Sequence, residues 1–398
     1  MAEFAASDLV AGLEENLFSL LEKQAAELDA SQLPLIDLSS GSPRQPTPPA
    51  VIASLQAAAA RLENHEYPSF WGKPALRQAI ADFYLRHYGV MLDPDTEVAL
   101  FQGAHIGVNG FPRALLNPGQ VLISTDPCYP IYRSAARQAG ADFYGIPLEA
   151  RNAFLPDFTQ VPDEIAARAG LVMLNYPHNP TGALATPALF ADALAFARQH
   201  HIPLIHDFAY ATLGSEPDEQ PLSLLALPDA IDWGVEIYTL SKSALMAGWR
   251  VGFAVGNASM IAAFKKLHTH SYSTVSGAVQ DATITALSLS AEQLNRLADP
   301  YHLRRRVVLA RLAAMHWPVR ARQGTFFLWL PAPPGFTGEE FASLLLRECH
   351  LLVAPGHGFG PAGRDYIRIS LTASTEQLLQ ALDRIDGLKL INERRRGL

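Results

Sequence analysis

Apolar and polar positions change period along the chain, and those changes predict a protein of alternating helices and strands. Residues 9–28 carry Leu13, Leu17, Leu20 and Leu21 at helical spacing, predicting one amphipathic helix. Residues 36–49 are rich in Ser, Gly and Pro, which break helix and strand alike. They read as a linker whose backbone is free to line a site. From about residue 50 to 290, helical stretches (50–62, 74–88, 105–115, 130–138 and 186–200) interleave with short apolar runs. The runs lie at 97–101, 121–124, 171–174, 203–206, 235–239 and 251–255. Such interleaving implies βα units and a mainly parallel sheet with helices on both faces. Further on, helices over 276–293 and 298–314 precede strand-like runs at 326–330 and 366–370, and a last helix covers 375–385. The chain thus divides into residues 1–48, an N-terminal segment joining the small domain; 49–290, a large α/β domain; and 291–398, a smaller α+β domain.

Composition narrows the function classes. With 49% of its 398 residues apolar and 18% charged, the chain has enough material for a large core. A net charge of −8 argues against a nucleic-acid binder but leaves room for an anionic ligand in a local positive pocket. Cys128 and Cys349 are too few for a disulfide framework or a cysteine-rich zinc site, and they suit a reducing cytoplasm. No apolar run approaches the roughly 20 residues of a membrane span. Met1-Ala2-Glu3-Phe4 does not open like a secretory signal.

The chemistry gathers where apolar runs end. Lys242, in Thr239-Leu240-Ser241-Lys242, follows the run Val235-Glu236-Ile237-Tyr238 and precedes Gly248-Trp249-Arg250-Val251-Gly252. A lysine at a strand end, with hydroxyls before it and an arginine after it, suits a Schiff-base amine beside a bound phosphate. The plain alternative is a snorkelling surface lysine. Gly103-Ala104-His105 opens a helix after an apolar run, either as an ordinary turn or as a cradle of backbone N–H groups for a phosphate. Asn179 sits in Asn175-Tyr176-Pro177-His178-Asn179-Pro180-Thr181-Gly182, a loop stiffened by its prolines. It serves as a turn or as a donor to a ligand in the sheet crevice.

Asp207 directly follows a buried run, where an unpaired carboxylate is costly. It either caps a helix or faces a cationic ligand such as a protonated pyridine nitrogen, with Tyr210 three residues on. Tyr129 either packs at a turn or stacks on a flat heterocycle. Cys128 reads as packing. Arg368, within the run Tyr366-Ile367-Arg368-Ile369-Ser370, requires an anion: a substrate carboxylate or one of the chain's own acids.

In this order, across about residues 36–370, the pieces resemble the class I/II aminotransferases, the aspartate-aminotransferase-like enzymes of fold type I that use pyridoxal 5′-phosphate. The resemblance implies a mainly parallel seven-stranded sheet flanked by helices, plus the smaller α+β domain. It also implies that Lys242 carries the cofactor as a Schiff base and that Arg250, Thr239, Ser241 and the turn Gly103-Ala104-His105 hold its phosphate. Asp207, Asn179 and Tyr210 would contact the ring nitrogen and ring oxygen, and Tyr129 would stack on the ring. Arg368 would clamp the substrate carboxylate near Gly41. Tyr67, in Glu66-Tyr67-Pro68-Ser69-Phe70-Trp71-Gly72, matches a tyrosine that crosses to the neighbouring subunit of a homodimer. Two positions depart from the family pattern. Phe208 stands where many relatives are acidic and is expected to point outward, and His105 stands where Lys, Gln or Ser is frequent.

The activity implied is amino transfer between an L-amino acid and a 2-oxo acid, with a β-lyase or other elimination enzyme on the same scaffold as the alternative. A cofactor-binding regulatory domain would need a DNA-binding module, for which the short helical N-terminus and acidic balance offer no material. No arginine clearly matches a clamp for a distal carboxylate. Selectivity is expected from Phe18, from Ser39-Ser40-Gly41 and from residues 268–276.

Overall fold

The computed structural model describes residues 4–28, 33–271, 274–320 and 322–388. Twelve strands occur among them: β1 (Ile36–Asp37), β2 (Val98–Phe101), β3 (Val121–Asp126), β4 (Asp142–Pro147), β5 (Ala169–Asn175), β6 (Leu204–Asp207), β7 (Gly234–Thr239), β8 (Gly252–Gly256), β9 (Phe327–Pro331), β10 (Leu351–Leu352), β11 (Ala354–Pro355) and β12 (Tyr366–Ser370). Seven form the central sheet in the order β2-β8-β7-β6-β5-β3-β4. Only β8 runs against the others, so the expected mainly parallel seven-stranded α/β architecture is borne out.

Six of the strands coincide with the six apolar runs. The seventh, β4, escaped the sequence because it is an edge strand paired only with β3. Its Asp142, Phe143, Tyr144 and Gly145 are all partly exposed, so no continuous apolar run marks it. Four α-helices also lie outside the expected stretches: the long Ala258–Ser271 and Gly338–Cys349 and the short Asp163–Ala166 and Leu240–Ser243.

Other boundaries moved for local reasons. The expected helix over 9–28 is two, Asp8–Ala11 and Leu17–Glu27, because Asn16 caps the second by accepting the N–H groups of Phe18 and Ser19 at 3.0 and 3.3 Å. The break expected near 293–298 falls earlier, at 288–290. There Ser290 and Gln293 form a capping box, and the helix Ala291–Ala314 continues through Pro300.

Strand alternation builds two apolar layers around the sheet. Leu122, Leu171, Met173, Ile205, Val235 and Ile237 share one cluster with Phe111, Tyr132 and Phe264 from the helices on that side. Ile123, Val172, Leu174 and Leu204 meet Phe190 and Leu194 of the helix Pro187–His200 on the other. Burial of each such side chain contributes about 1.5–3 kcal/mol. Phe208 is fully buried beside Tyr88 and Tyr238, so the outward orientation expected for it is wrong. It packs into a third cluster with Tyr84, Tyr238 and Phe253 instead of facing solvent.

The C-terminal strands β11-β12-β9 form an antiparallel sheet that shares a core with the helices Ala291–Ala314, Gly338–Cys349 and Thr375–Asp386. The N-terminal segment joins this unit. Its β1 pairs in parallel with β10, and Ser370 N–H donates to the Leu38 carbonyl at 2.7 Å. That register brings Ser39, Ser40 and Gly41 to the carboxyl edge of the central sheet. Among the described residues, no helix is long and apolar enough to cross a membrane.

Candidate active site

Parallel strands deliver the residues that follow them to one edge. Asn175 ends β5 and Asp207 ends β6 as its register partner, while Thr239 ends β7 one strand over. β2 and β3 feed the loops carrying Gly103 and Tyr129 to the same edge. A crevice at the carboxyl ends of such strands is where open α/β sheets take ligands.

A cavity of about 290 Å³ opens there. Gly41, Ala104, His105, Tyr129, Asn179, Asp207, Tyr210, Thr239, Ser241, Lys242, Arg250 and Arg368 all line it, so of the expected cofactor- and substrate-binding residues only Gly103 and Tyr67 do not. Of the expected selectivity residues Phe18 and Gly41 line it, while Ser39, Ser40 and the described part of 268–276 do not. Gly103 lies just behind the wall. It adopts φ +89°, and a Cβ there would come within 2.4 Å of Arg250 Nη2, so glycine lets the guanidinium lie against the turn. Tyr67 is 99% exposed on this chain. Residues 272 and 273 of the expected selectivity segment lie outside the described residues.

Lys242 projects from the short helix Leu240–Ser243, which Thr239 caps by accepting the Ser241 N–H at 3.1 Å. Its Nζ donates to the Gly41 carbonyl at 2.5 Å. Burial, with Arg250 and Arg368 nearby, pulls the amine down to about 8, against a partial offset from Asp207. The snorkelling alternative therefore fails for this side chain. Thr239 Oγ1 and Ser241 Oγ are 2.9 Å apart at the foot of the same turn. Arg250 is exposed at the mouth, with Nη1 donating to the Ala247 carbonyl at 2.9 Å.

Asp207 is buried on the opposite wall. Tyr132 donates to its Oδ2 at 2.7 Å, but Oδ1 is buried without any hydrogen-bond partner. Burial raises its pKa, which the Tyr132 hydrogen bond and the charge of His206 partly offset. A cationic donor placed against Oδ1 would complete it.

Arg368 is also buried. It donates from Nη1 to Asn179 Oδ1 at 2.8 Å and from Nη2 to the Ser39 carbonyl at 2.7 Å, while Nε has no partner. The rings of Phe327, Phe359 and Phe18 lie 3.8, 4.8 and 5.3 Å from its guanidinium carbon. Among the described residues no carboxylate forms an ion pair with it, which removes the internal-acid alternative. Desolvation lowers its pKa to about 10, so it stays charged and lacks an anion.

A family model for aminotransferase class I and II matches residues 34–385. The chain belongs to that family. It is 39% identical over 387 residues to an LL-diaminopimelate aminotransferase of Aquifex aeolicus, covering 97% of this chain and all of the relative. It is 41% identical to an L-glutamine–4-(methylsulfanyl)-2-oxobutanoate aminotransferase of Bacillus subtilis, covering 98% of each chain. Among solved structures, substrate-bound BacF from Bacillus subtilis superposes with a TM-score of 0.92 at 39% identity, over 97% of this chain and 98% of that one. The protein is an aminotransferase, of a family that uses pyridoxal phosphate and acts on amino acids and 2-oxo acids; the β-lyase alternative is not favoured.

Three side chains of this site had gone without a role. Tyr132 sits in the first helical turn after Tyr129 and reads as a core aromatic until its hydroxyl is seen on Asp207. Asn175 donates to the Asp207 carbonyl at 2.7 Å and accepts the Asn179 N–H at 2.8 Å, locking the two loops together. Phe327, at the start of a strand, reads as core but also covers Arg368. Of the three, only Asn175, at the start of the proline-stiffened loop that ends β5, carries a usable sequence signal. Cys128 is fully buried and burial pushes its thiol up to about 12, as packing requires.

Proposed function

We propose that this aminotransferase holds pyridoxal 5′-phosphate on Lys242, with the ring nitrogen against Asp207 and the substrate carboxylate on Arg368. The observation that carries the reading is the pairing within one cavity of a depressed amine with a buried carboxylate oxygen that lacks a partner. When bound, the cofactor supplies a reactive aldehyde and an electron-accepting ring.

The chain's own residues do the rest. Asp207 favours a protonated ring nitrogen, because a buried carboxylate with an open acceptor is stabilised by a cationic donor. Tyr210 and Asn179 are the donors for the ring oxygen, and Tyr129 is the stacking face. Thr239, Ser241, Arg250 and the Gly103-Ala104-His105 turn surround the phosphate position. Once a substrate amine had taken its place on the cofactor, the freed Lys242 Nζ would be the base at the substrate α-carbon. Arg368 orients the substrate, with Gly41 beside it, and expels the alternatives that lack a carboxylate.

We also propose that two copies share the site. The segment with Leu62, Tyr67, Phe70 and Trp71 leaves an apolar face uncovered, with Leu62 75% and Tyr67 99% exposed, which suits a Tyr67 reaching a neighbouring subunit's phosphate. The division 1–48, 49–290 and 291–398 is supported by the Ser290 cap and the β1–β10 pairing. The two free, buried cysteines support a reducing cytoplasm.

Borohydride reduction of the cofactor-loaded protein, followed by peptide mapping, tests the core of this reading. The label is expected on Lys242, and a label elsewhere overturns it. A panel of amino-acid donors, followed by cofactor absorbance in each half-reaction, defines the substrate.

A further inference from the structure

Arg305, in the helix Ala291–Ala314, is a second buried arginine to which, among the described residues, no carboxylate is bonded. Its Nη1 donates to the carbonyls of Gly214 and Ser215 at 3.1 and 3.0 Å, and its Nη2 donates to the carbonyl of Thr325. His302 Nδ1 lies 3.4 Å from Nη1, and Nε has no partner. Glu219, four residues beyond Ser215, is paired with Arg322 instead. A buried guanidinium held by carbonyl dipoles is costly, and an apolar side chain of similar size would serve a core as well or better. What arginine alone supplies is a planar fork of donors that can bridge two separate stretches of chain.

The two stretches that it bridges carry walls of the site. Gly214 and Ser215 follow Tyr210, whose carbonyl accepts the Leu213 N–H at 2.9 Å. Thr325 lies two residues before Phe327. Its N–H donates to the Leu213 carbonyl at 2.8 Å, and its Oγ1 accepts the Phe327 N–H at 3.0 Å. The adjacent Gly324 N–H donates to the carbonyl of Gly182, in the Asn179 loop, at 2.7 Å. Thr325 is fully buried at φ +63°, a left-handed conformation that a β-branched residue adopts only where its surroundings impose it. The next two residues meet the chemistry directly. The Phe326 ring lies 5.6 Å from Lys242 Nζ and the Phe327 ring 3.8 Å from the guanidinium carbon of Arg368, and both rings stand edge-on to Tyr210.

We propose that Arg305 is a positioning residue for the substrate clamp. By bridging the Gly214 and Ser215 carbonyls to the Thr325 carbonyl, it holds Thr325 in its left-handed conformation and so sets where Phe326 and Phe327 press on Lys242 and Arg368. This rests on Arg368 receiving the substrate carboxylate and Lys242 carrying the cofactor. The Tyr210 side of the bridge is anchored by β6 and by its own turn. Releasing the fork therefore moves the start of β9 and the clamp that Phe327 covers, while the wall that holds the cofactor keeps its shape.

Arg305→Met in the full-length protein tests it. Pyridoxal phosphate, titrated by absorbance, should bind this variant as it binds the wild type. For an amino-acid donor that the wild type turns over, KM should rise and kcat change far less. The resulting fall in kcat/KM is about tenfold to a hundredfold, the upper figure being the cost of a misplacement of about 1 Å. In an Arg368→Ala background, where no clamp is left to place, Arg305→Met should add little further loss. An unchanged KM, a parallel loss of cofactor affinity, or full additivity with Arg368→Ala marks Arg305 as merely structural and overturns the proposal. Arg305→Lys, which keeps the charge but not the fork, is read in the same way if the methionine variant does not fold. If Arg368→Ala lowers kcat/KM and the Arg305 variants do not, only this inference falls; if Arg368→Ala leaves kcat/KM unchanged, the assignment of the clamp falls with it.

Discussion

Arg368 Nη1 and Asn179 Oδ1 are joined by a 2.8 Å hydrogen bond that ties the C-terminal sheet to a loop at the edge of the central sheet. Through Nη2 the same guanidinium also holds the Ser39 carbonyl of the N-terminal segment. Three stretches far apart in sequence thus converge on one cation that has no anion of its own. A substrate carboxylate entering there adds the missing charge and, through Asn179, is held in register with whatever Asn179 contacts.

Arg368→Ala is expected to lower kcat/KM by about 2–5 kcal/mol, as truncation of a buried charge pair does. Steady-state kinetics check it, and an unchanged specificity constant counts against the clamp. Arg368→Met removes a buried cation that has no carboxylate partner but leaves Asn179 Oδ1 and the Ser39 carbonyl without their donor, so the melting temperature should shift little. A large drop in melting temperature would show that the cation is structural.

Lys242→Ala should abolish borohydride-trappable cofactor. Turnover should fall at least about 10²–10⁴-fold, the contribution of a positioned acid–base group alone. Wild-type turnover in the purified variant rejects the assignment.

The depressed Lys242 amine sets a pH dependence. Below about 8 it is mostly protonated and cannot attack an aldehyde. Stopped-flow capture of pyridoxal phosphate by the cofactor-free protein should therefore accelerate with pH and level off above about 8. The stability sign follows from the same shift. Between about 8 and the ordinary lysine value of 10.5 the unfolded chain binds more protons, so this group makes the cofactor-free fold more stable as pH rises through that window. A rate that is still rising steeply toward 10.5 would place the amine at its ordinary value.

Tyr132→Phe removes a donor from Asp207 without leaving a cavity. The carboxyl should rise further, and cofactor affinity should weaken by about 1–3 kcal/mol, the cost of an unsatisfied buried acceptor. Equilibrium titration by absorbance measures it, and unchanged affinity would remove Tyr132 from the site.

The fold and much of the site are legible because each rests on short-range signals. Continuous apolar runs marked the buried strands β2, β3, β5, β6, β7 and β8, and the residues within five positions of the ends of five of them include Gly103, Tyr129, Asn179, Asp207 and Lys242. β4 was illegible because an edge strand need not be apolar on both faces. The helix Gly338–Cys349 was missed although Thr337 and Glu340 form a capping box there. Phe208 was misjudged because a strand-end aromatic has no local signal for which side it faces.

By itself the sequence determined the alternation of strand and helix and singled out the lysine and aspartate at strand ends, the arginine in the turn before β8 and the arginine within β12. It could do so because hydrophobic periodicity and special residues at turns are local properties. Only the tertiary structure decided that the Gly41 carbonyl sits 2.5 Å from Lys242 Nζ, that Tyr132 serves Asp207 and that Glu236 Oε1 lies 2.7 Å from His206 Nδ1. Those depend on strand order and register, which bring together residues up to about 200 positions apart (201 for Gly41 and Lys242), and no local pattern encodes such distances.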